Sequence, residues 1–172
     1  MREIVYQVAT SLDGYIADPN GSYERFSMEG DHAEAHLASF ADFDAVVLGL
    51  ATYQIGLDVG ITLPYPGLEH HVVSTTLAAS PDPAVQLHRD GVELARRLRD
   101  EAGKPVYLCG GAKLATSLAE AGLVDRLVLK VQPFLLGAGI PFLYPTRRRL
   151  ELTLTDVRTF ESGVVFQSYR VG

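Results

Sequence analysis

The apolar positions of this chain fall in short blocks rather than long stripes. Residues 4–9, 45–49, 71–74, 106–109 and 127–131 have strand character, and some are apolar on consecutive residues, as in Ala45-Val46-Val47-Leu48. Unbroken apolarity is what a strand covered on both faces requires. Between the blocks the period lengthens to that of a helix. The clearest helix spans about residues 91–102, where Leu94, Ala95, Leu98 and Ala102 share a face and Arg96, Arg97 and Arg99 lie mostly outside it. Asp90 is placed to cap it, Glu93 to complete a capping box and Gly103 to end it. A second helix follows Gly110-Gly111, with Leu114, Ala115 and Leu118 on one face and Gly122 at its end.

Turn signals separate these elements: Asp18-Pro19-Asn20-Gly21, Pro64-Tyr65-Pro66-Gly67, Ser80-Pro81-Asp82-Pro83 and Gly137-Ala138-Gly139-Ile140-Pro141. Strands alternating with helices imply βαβ units and a parallel sheet. The tail differs. Residues 150–154 and 164–169 flank Glu161-Ser162-Gly163 and read as an antiparallel hairpin. The predicted architecture is α/β: a three-layer αβα sandwich on a mostly parallel sheet with an antiparallel C-terminal hairpin.

At 172 residues the chain fits a single domain, 1–172, large enough to bury about 70% of its unfolded surface. Its net charge of −6 argues against a general nucleic-acid binder, which needs a basic footprint. Arg147-Arg148-Arg149 is too short to change that and reads as a solvated loop. One cysteine, Cys109, excludes an internal disulfide and a Cys-Cys zinc pair. No apolar run approaches the ~20 residues of a membrane span. The first residues lack a cleavable signal pattern, since Gln7, Thr10 and Asp13 interrupt the apolar stretch. The expectation is a cytoplasmic protein with neither membrane nor nucleic acid as partner.

Candidate chemistry gathers where strands end. In Val106-Tyr107-Leu108-Cys109-Gly110-Gly111-Ala112-Lys113-Leu114 a strand breaks at two glycines and turns into a helix. Without Cβ atoms a ligand can approach the backbone, and the helix start offers unpaired N–H groups to an anion. A tight turn with no ligand uses the same residues. Neither GxGxxG nor GxxxxGK[ST] is present. Val47-Leu48-Gly49-Leu50-Ala51-Thr52-Tyr53 offers a second helix start, expected at Ala51 or Thr52. Hydroxyls crowd the end of His71-Val72-Val73-Ser74-Thr75-Thr76. Ligands of open α/β sheets sit beyond the carboxyl ends of the strands, so three such ends together point to a phosphate-bearing ligand. Asp13-Gly14 is a turn signal, with Asp13 expected to bond its own loop.

Read together, these segments resemble one superfamily along the whole chain: the dihydrofolate reductase-like reductases, particularly stand-alone relatives of the reductase domain in bacterial riboflavin biosynthesis. The matching pieces are Thr10-Ser11-Leu12-Asp13-Gly14-Tyr15-Ile16-Ala17, Leu48-Gly49-Leu50-Ala51-Thr52-Tyr53, Val72-Val73-Ser74, Leu108-Cys109-Gly110-Gly111-Ala112-Lys113-Leu114, Gly122-Leu123-Val124-Asp125-Arg126-Leu127 and Pro133-Phe134-Leu135-Leu136-Gly137-Ala138-Gly139-Ile140-Pro141-Phe142. The resemblance implies hydride transfer from NADPH to a C=N or C=O bond of a pterin, a pyrimidine-like or another compact molecule, and a homodimer. By position it implies that Ala9 and Tyr15-Ile16-Ala17 border the nicotinamide. Gly49 and Thr52 meet the pyrophosphate at one helix start, and Cys109, Gly110, Gly111, Ala112 and Leu114 lie at the other. Ser74 and Thr75 belong to the adenosine end.

Two departures bear on the cofactor. Leu50 and Thr75 stand where the family carries basic residues that pair with the 2′-phosphate, a contact of about 1.5–3 kcal/mol each, so NADH is the alternative to NADPH. Arg89 is placed to supply the missing charge. Tyr15 replaces a lysine common in the riboflavin-pathway enzymes, which disfavours the phosphoribosylamino-uracil reductase of that pathway. A dinucleotide-binding module without turnover is a third reading. The resemblance implies a proton donor on the first long helix, where Asp31 and Glu34 lie three apart. The same pair fits a helix cap completed as a capping box. His32 and His36 lie four apart with no third metal ligand, so the expectation is solvent-facing histidines and no metal. Tyr15 and Tyr53 are candidate substrate-pocket residues.

Overall fold

The computed structural model describes residues 1–172. Ten strands and four helices alternate: β1 (Ile4–Ser11), β2 (Tyr15–Ala17), α1 (Asp31–Ala38), β3 (Ala45–Gly49), α2 (Leu50–Asp58), β4 (Glu69–Val73), β5 (Val85–His88), α3 (Gly91–Asp100), β6 (Val106–Gly110), α4 (Ala112–Glu120), β7 (Arg126–Gln132), β8 (Ile140–Pro141), β9 (Leu152–Thr159) and β10 (Val165–Val171). Eight strands form one sheet in the order β5-β4-β3-β6-β1-β7-β10-β9, and β2 pairs with β8 in a small second sheet. The pairings of the main sheet are parallel except those of β10, which runs antiparallel to β7 and β9. This is the predicted sandwich with its C-terminal hairpin.

Strand alternation assigns the two faces. Ile4, Tyr6, Ala45, Val47, Val106, Leu108 and Leu127 pack with Leu94, Ala95 and Leu98 of α3 and Ala115, Leu118 and Ala119 of α4. Val5, Val46, Leu48, Tyr107 and Val128 form the opposite core with Phe43, Tyr53, Val72 and Val85. Asp90 caps α3 as predicted: its Oδ1 accepts from the amides of Val92 at 2.8 Å and Glu93 at 3.0 Å. No helix is long and apolar enough to cross a membrane.

The structure corrects several expectations. α1 has Gly30 as its N-cap and no side-chain cap, so Asp31 is the first helical residue rather than the cap and no capping box forms. The histidines of α1 do not face solvent. His32 is buried, and Nδ1 of His36 accepts a hydrogen bond from Nε2 of Gln7 at 2.7 Å. The inversion follows from composition, because α1 leaves Leu37 exposed and carries no other large apolar residue to turn inward. The strand β5 follows the turn at residues 80–83 and extends the parallel sheet beyond β4. Asp13 reaches beyond its own turn: its carboxylate accepts from the amides of Leu136 at 3.0 Å and Gly137 at 2.7 Å, pinning the β1–β2 turn to the segment before β8. These amides and the Ser11 hydroxyl hold its carboxyl down to about 2.

Candidate dinucleotide site

The carboxyl ends of β3 and β6 are neighbours in the sheet, and each runs directly into a helix. α2 starts at Leu50 behind Gly49, slightly earlier than expected, and α4 starts at Ala112 behind Gly111. Neither start has a side-chain cap, in contrast to α3. Two helices therefore present first-turn N–H groups with no side-chain acceptor on the same rim, each with the positive end of its dipole.

The glycines hold this place open. A methyl group built on Gly49 would stand 3.5 Å from the amide nitrogen of Gly111 and 3.6 Å from the carbonyl oxygen of Gly110. One built on Gly111 would meet Oγ1 of Thr52 at 3.3 Å. Gly110 has a φ of +107°, which L side chains rarely adopt, and its peptide to Gly111 is cis. Gly49, Thr52, Gly110 and Gly111 thus meet at one place formed by main chain and a hydroxyl, with the Leu114 side chain beside Gly49 and Ala112 opening α4 next to it. Such a surface suits a diphosphate, whose charge is met by N–H groups without a lysine.

One flank of the cradle is the β4 end. Oγ of Ser74 accepts from the amides of Thr76 at 3.2 Å and Leu77 at 2.9 Å, so this hydroxyl shapes the turn. Nη1 of Arg89 donates to the carbonyls of Ser74 at 2.7 Å and Leu77 at 2.9 Å. A guanidinium consequently stands over the turn that carries the exposed Thr75. On the other flank, β1 ends beside β7, with Ala9 in register with Lys130. The half-buried Tyr15 and Ile16 of β2 follow β1 across the turn, with the amide of Tyr15 held by Oγ of Ser11 at 3.0 Å.

Comparison with known proteins identifies the family and the fold. The family model of the RibD C-terminal domain matches residues 2–166. The chain belongs to the RibD C-terminal domain family. Among its relatives is YyaP of Bacillus subtilis (strain 168), itself without an assigned activity, which is 29% identical over 179 residues and shares 95% of this chain and 92% of its own. A crystal structure of a Shewanella sp. PV-4 protein assigned to riboflavin biosynthesis is 25% identical with a TM-score of 0.82, covering 100% of this chain and 99% of the other. Dihydrofolate reductase from Enterococcus faecalis, solved with NADP(H), shares the fold at 15% identity with a TM-score of 0.72, over 99% and 96% of the two chains.

Within this RibD C-terminal domain some sequence candidates lie elsewhere. Tyr53 is not a pocket residue. Its ring is fully buried, and its hydroxyl donates to the carbonyl of Thr62 at 2.9 Å and shares a hydrogen bond with Oγ of Ser80 at 3.0 Å. Tyr53→Phe should lower unfolding free energy by about 1–3 kcal/mol in urea titrations while leaving nucleotide affinity unchanged. The proposed acids fare no better. Oδ2 of Asp31 accepts from the amide of Glu161 at 2.7 Å, tying α1 to the β9–β10 turn. That bond holds the Asp31 carboxyl below its ordinary range, the wrong direction for an acid at neutral pH. Glu34 faces solvent.

What sequence reading missed lies under α1, where His36 turns inward onto Gln7 and Tyr107 and Lys130 stands on the same sheet face; Cys109, expected at the cofactor's helix start, belongs to this group as well. Sγ of Cys109 and the Tyr65 hydroxyl are 3.0 Å apart, and burial pushes the thiol up, away from a reactive thiolate. Lys130 is the one residue with a readable signal, since a charge on a strand register facing the core needs a reason.

Proposed function

We propose that this protein is a nicotinamide-dependent reductase that transfers a hydride from NADPH to a C=N or C=O bond of a compact, pterin- or pyrimidine-like substrate. The observation that carries this reading is the pair of glycine-capped, side-chain-free helix starts meeting at the ends of β3 and β6. When bound, the reduced dinucleotide supplies the hydride. The chain's own residues bind and orient it. Amides at Gly49, Leu50, Gly111 and Ala112 hold the diphosphate, with Thr52 offering its hydroxyl. The turn 74–77 receives the adenosine arm, and Ala9, Tyr15 and Ile16 border the reacting arm.

Arg89 supports NADPH over NADH. Leu50 and Thr75 bring no charge to the 2′-phosphate, whereas the guanidinium bonded to the Ser74 and Leu77 carbonyls stands at that turn. The unpaired outer edge of β9, exposed along its whole length with Leu152, Leu154 and Val157, supports a homodimer.

Titrating the purified protein with each dinucleotide and following nicotinamide fluorescence tests the reading. NADPH should bind more tightly than NADH. Arg89→Ala should weaken NADPH by about 10- to 100-fold, since a charge-assisted contact contributes roughly 1.5–3 kcal/mol, and should weaken NADH much less, through the loosened turn alone. Equal loss for both would place the 2′-phosphate elsewhere. Binding without oxidation across pterin, pyrimidine and dicarbonyl acceptors would mark a silent binding module instead.

A further inference from the structure

Lys130 sits near the carboxyl end of β7, in register with Ala9 of β1 and Phe166 of β10, on the face covered by α1. It is 8% exposed. The ion pairs of the molecule use Arg2, His71, Arg97, Arg99, Arg126 and Arg149, and none includes Lys130. Of the other two lysines, Lys104 donates to the carbonyl of Ala41 at 2.8 Å and Lys113 is exposed. A buried ammonium without a counter-charge is costly, and a protein retains one where a ligand meets it.

The rim says which part of a ligand that is. With the diphosphate between β3 and β6, the two arms of an extended dinucleotide run in opposite directions along the strand order. One passes over β4 towards Arg89, and the other over β1 towards β7, strands about 4.8 Å apart. The β1/β7 flank is floored by the half-buried Ala9, whose side chain is small, and Lys130 stands opposite it in register. The titratable groups facing Lys130 are His36 on α1 and Cys109 on β6, while β1 and β10 present Ala9 and Phe166.

We propose that Lys130 is the proton donor of the reduction, standing beside the acceptor's reducible bond on the β1/β7 flank of the cradle; the assignment rests on the reductase reading above. The acceptor carbon gains a hydride from the dihydronicotinamide, which is oxidised. The electron pair of the C=N or C=O bond moves to the heteroatom, which takes a proton from Nζ, and the neutral amine is reprotonated by water. Burial brings Lys130 down to about 7, a value suited to an acid working at neutral pH. Neighbouring groups do not fit the task. Burial drives His36 down to about 3 and pushes the Tyr65 and Tyr107 hydroxyls up.

The test reads the lysine directly. With only three lysines, Cε resonances of 13C-lysine protein titrate separately. One, lost in Lys130→Met, should titrate near 7. Saturating NADP+, whose oxidised ring is cationic, should lower that midpoint by about one pH unit, and NADPH, whose ring is neutral, by less. In turnover with the best acceptor of the panel above, wild-type kcat should fall as pH rises through 7. Lys130→Met should lose at least about 100-fold in kcat and that pH limb while binding NADPH normally. Lys130→Arg should not restore it, because a guanidinium keeps its proton; rescue by arginine would make Lys130 a charge anchor and overturn the proposal. A Lys130 midpoint in the ordinary lysine range, or one unmoved by NADP+ that demonstrably binds, also overturns it. Failure of both nucleotides to shift any resonance overturns the reductase reading, and this assignment with it.

Discussion

Gly111→Val should abolish dinucleotide binding and leave the sheet folded. The backbone at Gly111 has a φ of −83°, open to any L residue, so the substitution brings no main-chain strain. The first atom added meets only Oγ1 of Thr52, at 3.3 Å, on a side chain in the first turn of α2 that can rotate away. The branched methyls then fill the space over both helix starts. Losing two charge-assisted contacts from the amides costs about 3–6 kcal/mol, at least 100-fold in affinity. Gly49→Ala is the milder companion, since its methyl makes only ordinary contacts of 3.5–3.8 Å. Gly110→Val would not serve, because a φ of +107° penalises any side chain. Isothermal titration with NADPH on variants of unchanged circular dichroism measures the effect. Wild-type affinity in a folded Gly111→Val protein would remove the diphosphate from this rim.

The glycines were legible as a turn because backbone chemistry is local: a strand ending in Gly-Gly before a helical period marks a tight strand–helix junction, with or without a ligand, and the structure has that junction. Ala45–Gly49 emerged with its observed bounds for a similar reason, as it is apolar on every residue and covered on both faces. The α1 side was not legible. Reading Asp31 as an acid or a cap assumed that polar residues of a helix act near its start or face water. The β9–β10 turn, more than a hundred residues away, takes its carboxylate instead. His36 looked solvent-facing because its partner, Gln7, sits on a strand whose neighbours are apolar. In each case a long-range contact settled the side chain's role, and such contacts leave no periodic trace.

The same buried histidines should make the fold acid-sensitive in a window of their own. His71 is fully buried on β4, its Nδ1 3.1 Å from Nε2 of His88 and its Nε2 without a hydrogen-bond partner. Burial lowers His71 to about 4 and His36 to about 3, and lowers His70 and His88 as well, against an unfolded value of 6.5. A histidine whose folded value is depressed favours the native state fully above 6.5. As pH falls the unfolded chain takes up protons first, so stability drops by up to about 1.4 kcal/mol per pH unit for each such group. The carboxylates cannot produce this limb. Asp13 and Asp31 are depressed from 3.8, so their contribution begins to fade only near pH 4. Lys130 is charged in both states below pH 6 and adds no slope there. Urea midpoints should therefore decline between pH 6.5 and 4.5, on a limb separate from the one above pH 7 that Lys130 produces, being about 7 in the fold against 10.5 unfolded. His71→Phe, which keeps the volume and removes the proton site, should flatten part of that decline. A midpoint independent of pH across that window would mean that these imidazoles charge as readily inside the fold as in water.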